Sequence, residues 1–326
     1  MKIRHLIILF SILYSFTACE NEIKKTVDYN KYHSEIILAE ELISEEKYKE
    51  ALILYEKLFT EYSFIFLRDY KVASQISFQI GEKEKGLTYI KKAIANGLEL
   101  KKLKEEKFFS RYLLDADWKK IEEQYEDLRN LFLNRINLTI EKEVRSMFEN
   151  DQKIAYEAYI IEDEKEQEEF ITKNFPKHSE KQLVNLIRIL EINGYPGEFL
   201  IGNDVWVSTI LSHHNSQGTD YVRKDTLYDF IKPKLIQFLN KGYISPYEIA
   251  LVEDWKKTVI SEWSESPYGY LNPPNTSNIS QINKTRIAIG LRTVELRNKL
   301  IDIEVKTGMS FYLPDWVDGK IKIEEK

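Results

Sequence analysis

The sequence NGYPGEFLIGNDVWVSTILSHHN, residues 193–215, places a tight turn, a helix start and paired histidines in one short stretch. Gly194 and Pro196-Gly197 end a preceding helix, because proline and glycine both interrupt helical backbone. The apolar positions of that helix recur at helical spacing: Leu183, Leu186, Ile187 and Leu190. Gly202-Asn203-Asp204 then offers a short polar side chain that can cap a helix over residues 205–214. The stretch predicts two helices joined by a turn, as in a mainly α-helical fold.

The two histidines are predicted to point in different directions. Trp206, Ile210 and His213 fall at i, i+4 and i+7, so we expect His213 to face the core and His214 to be rotated about 100° away. An inward histidine can be a general base, a metal ligand or a hydrogen-bonded core residue. Zinc on a helix takes a second ligand three or four residues away, and Ser216 and Gln217 are not such ligands. We therefore expect no metal and no cofactor.

The first eighteen residues predict a signal peptide. Lys2, Arg4 and His5 form a basic start, and residues 6–16 form an apolar run too short to span a bilayer. Phe16-Thr17-Ala18-Cys19 resembles the lipobox of bacterial lipoproteins, with Phe16 where leucine is usual. The resemblance implies that Cys19 becomes the lipidated N-terminus. An uncleaved anchor, or an ordinary secretory signal with a chance cysteine, is the alternative.

Export of a lipoprotein has consequences for the rest of the chain. Cys19 is the only cysteine among 326 residues, so no intrachain disulfide can form and stability must come from packing. Several acyl chains on Cys19 would hold the protein firmly on a membrane. Glu20 is not the aspartate that retains lipoproteins in the inner membrane, and by this resemblance we expect the outer membrane, facing the periplasm or the cell surface. Residues 19–32 are polar and aperiodic, which predicts a flexible tether.

The composition is that of an ordinary globular protein, with 43% hydrophobic and 31% charged residues. The net charge of −6 argues against a nucleic-acid partner, because such a protein would show a basic face. We predict helical repeats with capping helices over residues 33–132, a second helical domain over residues 133–318 and a tail over residues 319–326.

The repeats are predicted from periodic apolar and small residues. Ala39 recurs as Ala73 about 34 residues later, a period typical of helical hairpins. A second set recurs with a one-residue offset: Ala51, Tyr55 and Leu58 correspond to Gly86, Ile90 and Ala93. This pattern resembles the tetratricopeptide repeat over about two repeats, without its signature Trp and Pro. The resemblance implies a concave surface for a peptide or protein partner. A spacer that only packs against the rest of the chain is the alternative.

In the second domain, two carboxylates lie within apolar stripes. Asp151 stands four residues from both Met147 and Ala155 in a helix over residues 137–161, and a buried carboxylate needs a partner. Asp254 shares a face with Leu251 in a helix that Ser245-Pro246-Tyr247-Glu248 begins as a capping box. Another helix is predicted over residues 226–240, and one helix from Arg286 to Lys306.

Residues 140–306 resemble a bacterial domain of unknown function that is often attached to lipoprotein or repeat segments. The motifs that carry the resemblance are Asp151-Gln152, Gly194-Tyr195-Pro196-Gly197, His213, Asp254, Tyr268-Gly269 and Arg286 with Gly290-Leu291. It implies a site to which Gln152, Tyr195, Gly197 and Tyr268 contribute binding contacts. Trp255 stands where the family has arginine, and Tyr270-Leu271 where it has Thr-Gln. These departures remove polar groups that the family has, and the family brings no known reaction.

Three functions follow from these observations. The first is a binding module that holds a protein or another ligand in the cell envelope. The second is a hydrolase-like enzyme in which His213 is the general base or acid, Asp151 or Asp254 orients it, and Arg286 stabilises negative charge. The third is a structural envelope protein in which the same groups form a buried polar network.

Overall fold

A computed structural model of the chain describes residues 28–202, 206–313 and 317–325. Within these ranges the fold is mainly α-helical, as predicted, with one parallel bridge between Asn275 and Glu324 outside the helices. A turn of 3-10 helix covers Phe109–Arg111. The α-helices are α1 (Tyr29–Ser44), α2 (Tyr48–Glu61), α3 (Leu67–Gln79), α4 (Lys83–Ala95), α5 (Leu100–Glu105), α6 (Asp115–Arg135), α7 (Leu138–Tyr159), α8 (Glu164–Asn193), α9 (Glu198–Ile201), α10 (Trp206–Asn215), α11 (Thr219–Lys224), α12 (Leu227–Asn240), α13 (Pro246–Ile260), α14 (Ile279–Ala288) and α15 (Val294–Thr307).

Helices α1 to α4 form two consecutive helical pairs. The turns between partners contain residues of positive φ, Glu46 at 60° and Gly81 at 83°. Small residues allow the helices to approach closely: Ala39, Ala51 and Ala73 are fully buried. A Cβ atom at Gly86 would lie 2.7 Å from the ring of Phe78, so only glycine fits there without a shift.

The C-terminal helix packs into the core of these pairs. Leu300, Ile303, Met309 and Phe311 are buried in one hydrophobic cluster with residues of α1 to α6. The irregular segment 308–313 follows α15 and lies against α3. The side-chain amide nitrogen of Gln75 donates to Ser310 O at 2.7 Å, and its carbonyl oxygen accepts from Ser310 N at 2.7 Å. Residues from the far end of the sequence thus complete the N-terminal core.

A second core is built from α7, α8, α10, α12 and α13. Two predicted signals at its helix ends are present: Gly194 ends α8 with φ 86°, and Ser245 and Glu248 form a reciprocal capping box on α13. Asn137 in addition caps α7. The predicted cap at Asn203-Asp204 lies outside the described residues.

Three sequence expectations differ from the structure. The single helix from Arg286 to Lys306 is wrong, because Gly290, with φ 78°, separates α14 from α15. Helix α1 begins at Tyr29, inside the predicted tether, and its first turn is held by Tyr29 and Tyr32, which are buried. Ile321, in the predicted tail, is 4% exposed and packs with residues of α14 and α15.

Cys19 and the predicted signal peptide lie outside the described residues. Among the helices within the described ranges, none combines the length and the apolar character needed to cross a membrane.

Candidate functional sites

Asp151 and His213 form a hydrogen-bonded pair between α7 and α10. His213 Nδ1 lies 2.5 Å from Asp151 Oδ2. Asp151 is 6% exposed, because the apolar stripe of α7 that includes Met147 turns it towards the second core. The His213 side chain is 43% exposed. The pair therefore has a buried carboxylate and an imidazole that reaches the surface.

A second histidine approaches the same carboxylate from α8. His178 Nε2 lies 3.8 Å from Asp151 Oδ1 and 3.3 Å from the side-chain nitrogen of Gln182, which also donates to Met147 O at 2.6 Å. Burial lowers the pKa of His178, although Asp151 opposes the shift. The side-chain nitrogen of Gln152, a predicted binding residue, lies 3.5 Å from Asp151 Oδ2, at the limit of hydrogen-bond distance. Asp151 therefore joins α7 to two histidines from different helices.

An open cavity of about 610 Å³ lies beside this cluster, between α7 and α8. Its lining is polar and includes Asn150, Lys153, His178 and Lys181. A polar substrate group bound there would lie next to His178.

The expectation that His213 faces the core is wrong, and the inward histidine is His214. The buried side of α10 carries Val207, Ile210, Leu211 and His214. His214 is 1% exposed, with Nδ1 2.6 Å from Ser179 Oγ and Nε2 3.2 Å from Asp225 Oδ2. Because the face of α10 that carries Val207 and Leu211 is buried, His213 lies at the edge of that face.

Asp225 has a structural role beside His214. Burial alone would raise the pKa of its carboxyl, but His214 and the backbone amides of Leu227 and Tyr228 together hold the pKa below its usual value. Those two amides belong to the first turn of α12, so Asp225 caps this helix as well.

Asp254 and Arg286 belong to a different place in the fold, where both hold the loop 266–271. Asp254 is fully buried and accepts from Ser266 Oγ at 2.6 Å, Tyr268 N at 2.7 Å and Tyr270 N at 2.8 Å. Arg286, also fully buried, donates to Tyr268 O at 2.8 Å and to Arg292 O at 2.6 Å. Burial raises the pKa of Asp254, although the hydrogen bonds that its carboxylate accepts act to lower the pKa. The two side chains thus organise backbone, and the four predicted catalytic residues form two groups rather than one.

The predicted binding residues Tyr195 and Gly197 are parts of the packed turn before α9. Tyr195 is fully buried and donates from its hydroxyl to Glu248 Oε1 at 2.9 Å. A Cβ atom at Gly197 would lie 2.4 Å from Tyr243 O, which explains the glycine. Tyr268 contributes its backbone to Asp254 and Arg286, as above. These residues shape the domain core.

A cavity of about 200 Å³ lies at the seam between the helical pairs and the second core. Helices α1 and α3 contribute one wall, and the start of α13 at 245–248 and the turn at 290–292 contribute the other. The exposed surface of the lining is mostly apolar, and charged side chains also border it. The lining includes His33, Ile36, Ile37, Phe66, Arg68, Asp69, Glu198, Pro246, Tyr247, Glu248, Leu291 and Arg292. We call this space the seam cavity.

A buried ionic network borders the seam cavity. Glu40 is fully buried and accepts from Arg292 Nε at 2.6 Å, Arg292 Nη2 at 2.7 Å and Arg68 Nη2 at 2.5 Å. Arg68 also donates to Asp69 Oδ1 at 3.2 Å, and Asp69 accepts from Tyr32 at 2.5 Å. Two arginines thus face two carboxylates, and the network ties α1 and α3 to the turn before α15.

The comparisons with known proteins give this chain no relative. A scan against protein-family models found no match, and searches of curated proteins and of solved structures found none either. Within the described ranges, no group of three or more His, Cys, Asp or Glu side chains is arranged to hold a metal ion. Function must therefore be argued from the two polar sites themselves.

Proposed function

We propose that the protein is a membrane-anchored bacterial lipoprotein that binds a small ligand in the cell envelope, and that the seam cavity holds the ligand. The observation that carries the proposal is a mostly apolar space of about 200 Å³ that charged side chains border. Ligand sites are commonly concave, mostly apolar and supplied with a few convergent polar groups, often where domains meet. The cavity has these properties.

The membrane anchor is supported by the sequence. A basic start, a short apolar run and Phe16-Thr17-Ala18-Cys19 are the signals that lipoprotein processing requires, and Glu20 favours the outer membrane. Cys19→Ser should abolish incorporation of an alkyne-labelled fatty acid and move the protein out of the membrane fraction. Retention of both label and membrane binding would place the anchor elsewhere.

The helical pairs support a likeness to tetratricopeptide repeats, but not an open groove for a protein partner. The face of α3 that carries Arg68 and Gln75 is covered by the chain's own segment 308–313. Phe311 in that segment is fully buried. A peptide could bind this face only after displacing an element of the core, so a small ligand in the seam cavity is favoured over a peptide.

Native mass spectrometry of the full chain, purified from membranes in mild detergent, tests the ligand-binding function. We expect the protein to carry one small molecule. Ile37 lines the cavity and is partly buried, so Ile37→Phe should fill space and lose the molecule. Leu38→Phe is the matched control, because Leu38 is 50% exposed on the next position of α1. The same bound mass in both variants, or none in the unaltered protein, would refute binding in this cavity.

A hydrolase-like activity is the second candidate, and the short contact between Asp151 and His213 favours it. The carboxylate fixes Nδ1 of the imidazole, and Nε2 lies on a side chain that is 43% exposed. A carboxylate-oriented imidazole can act as a general base towards water. Arg286, expected to stabilise negative charge, is instead engaged with Tyr268 and Arg292 backbone.

A panel of ester, amide and phosphodiester substrates tests the hydrolase. Asp151→Asn and His213→Gln should each lower any turnover by about 10²-fold or more. His214→Gln is unsuitable as a control, because His214 is part of the core. Glu149→Gln is the control, because Glu149 is exposed on α7 and its loss removes a carboxylate close to Asp151 in sequence. Equal turnover in His213→Gln and the unaltered protein would remove this candidate.

A further inference from the structure

Two side chains at the seam cavity have a donor that no described residue engages. His33 is 6% exposed, and its buried Nε2 has no hydrogen-bond partner among the described residues. A buried polar atom without a partner costs free energy that a ligand can recover. Arg292 uses Nε and Nη2 on Glu40, which leaves its Nη1 available to a ligand. Both groups can donate a hydrogen bond.

The local electrostatics favour an acceptor over a donor. Burial lowers the pKa of His33 to about 3, with further lowering by the charges of Arg292 and Arg68. The imidazole is therefore neutral at neutral pH and lies in a positive potential. Burial raises the pKa of Glu198 to about 8, so this lining carboxyl is mostly protonated and does not repel an anion.

The acidic groups beside the cavity already have partners. Glu40 lies between Arg68 and Arg292, and Asp69 accepts from Tyr32 and Arg68. Glu248, which also lines the cavity, accepts from Tyr195 Oη and Ser245 N. A bound anion would therefore meet unused donors on His33 and Arg292, while each acidic oxygen of the network keeps its own partner.

The rest of the cavity fits an apolar body. Ile36, Phe66, Pro246 and Leu291 are buried residues that line it. The space of about 200 Å³ is enough for a small apolar body.

We propose that the seam cavity binds a small monocarboxylate with an apolar body, whose carboxylate accepts hydrogen bonds from Arg292 and His33. The apolar body lies against the wall formed by Ile36, Pro246 and Leu291. This inference rests on the proposed ligand-binding function and adds the chemical class of the ligand.

Equilibrium dialysis of the full chain in detergent, against detergent alone, tests the class with matched probes. Isotope-labelled hexanoate and hexan-1-ol share an apolar tail and differ in the charged group. We expect hexanoate to bind at one site per chain and hexan-1-ol at least tenfold more weakly, a difference of about 1.4 kcal/mol. Hexylamine, with the opposite charge, should not bind.

Variants then locate the probe and the charge recognition. Ile37→Phe should lose hexanoate, whereas Leu38→Phe should keep it. His33→Phe removes a donor and keeps a ring of similar size, so hexanoate binding should weaken about tenfold while hexan-1-ol is unchanged. Circular dichroism reports whether His33→Phe folds. If it does not, the comparison of hexanoate with hexan-1-ol in the unaltered protein decides alone.

The outcomes separate this inference from the function on which it rests. Equal binding of hexanoate and hexan-1-ol, both lost in Ile37→Phe, would overturn the carboxylate class and keep the binding function. Hexanoate bound equally by Ile37→Phe and Leu38→Phe would place the site elsewhere and overturn the inference. If no probe binds and no small molecule is carried from membranes, both the inference and the proposed function fail.

Discussion

Replacing Glu40 tests the energetic role of the network at the seam. Glu40→Gln keeps the shape of the side chain and removes its charge, which leaves Arg68 and Arg292 facing a neutral amide. Arg68 keeps Asp69 at 3.2 Å and Phe311 O at 2.8 Å, so part of its charge and hydrogen bonding stays satisfied. Both described contacts of the Arg292 guanidinium are to Glu40.

The expected loss follows from the burial of the pair. Glu40 is fully buried and the side chain of Arg292 is 9% exposed. Removing one partner of a buried ion pair costs about 3–5 kcal/mol. Because the Gln carbonyl can still accept one hydrogen bond, we expect the lower end, about 3 kcal/mol. In a chain of this size the melting temperature should fall by roughly 5 °C.

Urea unfolding followed by circular dichroism measures the change. Glu41→Gln is the control, since Glu41 is exposed on the same turn of α1, and should alter stability by less than about 0.5 kcal/mol. A midpoint for Glu40→Gln as close to the unaltered protein as that of Glu41→Gln would refute the claim that the network holds the seam together.

The pH dependence provides a second readout of the same group. Burial would raise the pKa of Glu40, but the charges of Arg292 and Arg68 outweigh it and hold the pKa below its ordinary value of 4.5. A depressed carboxyl pKa contributes stability above the unfolded pKa, and this contribution is lost as the pH falls through the folded pKa. The stability gap between the unaltered protein and Glu40→Gln should therefore be full at neutral pH and narrow below pH 4.5. A gap that stays constant on acidification would contradict the assignment.

Three further changes have defined outcomes. Gly290→Ala should lower the free energy of unfolding in urea by about 2 kcal/mol or more, because φ is 78° and an added Cβ would lie 2.5 Å from His33 Cβ. Gly218→Ala is the control and should be nearly neutral, since the space around Gly218 is open. Asp254→Asn should cost about 1–3 kcal/mol and speed hydrogen exchange at the amide of Tyr268, which the carboxylate holds at 2.7 Å; unchanged exchange would contradict this role. Burial raises the pKa of Glu198 from 4.5 to about 8, so the unaltered protein should lose stability as the pH rises between these values. Glu198→Gln should remove that loss. An equal dependence of the unfolding free energy on pH in both proteins would refute the shift.

The helical class and several helix ends could be predicted because they depend on local chemistry. The capping box at Ser245 and the glycine at the end of α8 act within a few residues of their own position. The break at Gly290 was missed, although glycine is a weak helix former, because Ile289 and Leu296 fit a single periodic stripe. The rotation of α10 was also missed. Its apolar residues occupy two overlapping arcs, and packing against other helices selects the arc that contains His214.

The Asp151–His213 pair shows what sequence reasoning can and cannot find. A carboxylate within an apolar stripe needs a partner, which correctly singled out Asp151 on α7. The same argument applies to Glu40, which lies four residues after Ile36 and three before Ile43 on α1. The partner, Arg292, is 252 residues away, and no local pattern could name it. The sequence indicates the position of His178 less strongly. The one pattern that points to it is its spacing of four residues from Gln182 on α8.

The way the C-terminal segment packs explains why a ligand at the seam is the simpler hypothesis. A partner on the face of α3 must replace two hydrogen bonds from Gln75 and expel Phe311, whose burial alone is worth about 1.5–3 kcal/mol. It would also disturb α15, which shares the N-terminal core. A small carboxylate in the seam cavity displaces no side chain and supplies acceptors to His33 and Arg292. Because it would contact both α1 and the turn before α15, binding should stabilise the folded chain in proportion to RT ln(1 + [L]/Kd). Loss of the Glu40 charge and binding of a ligand should therefore change the stability of the same seam in opposite directions.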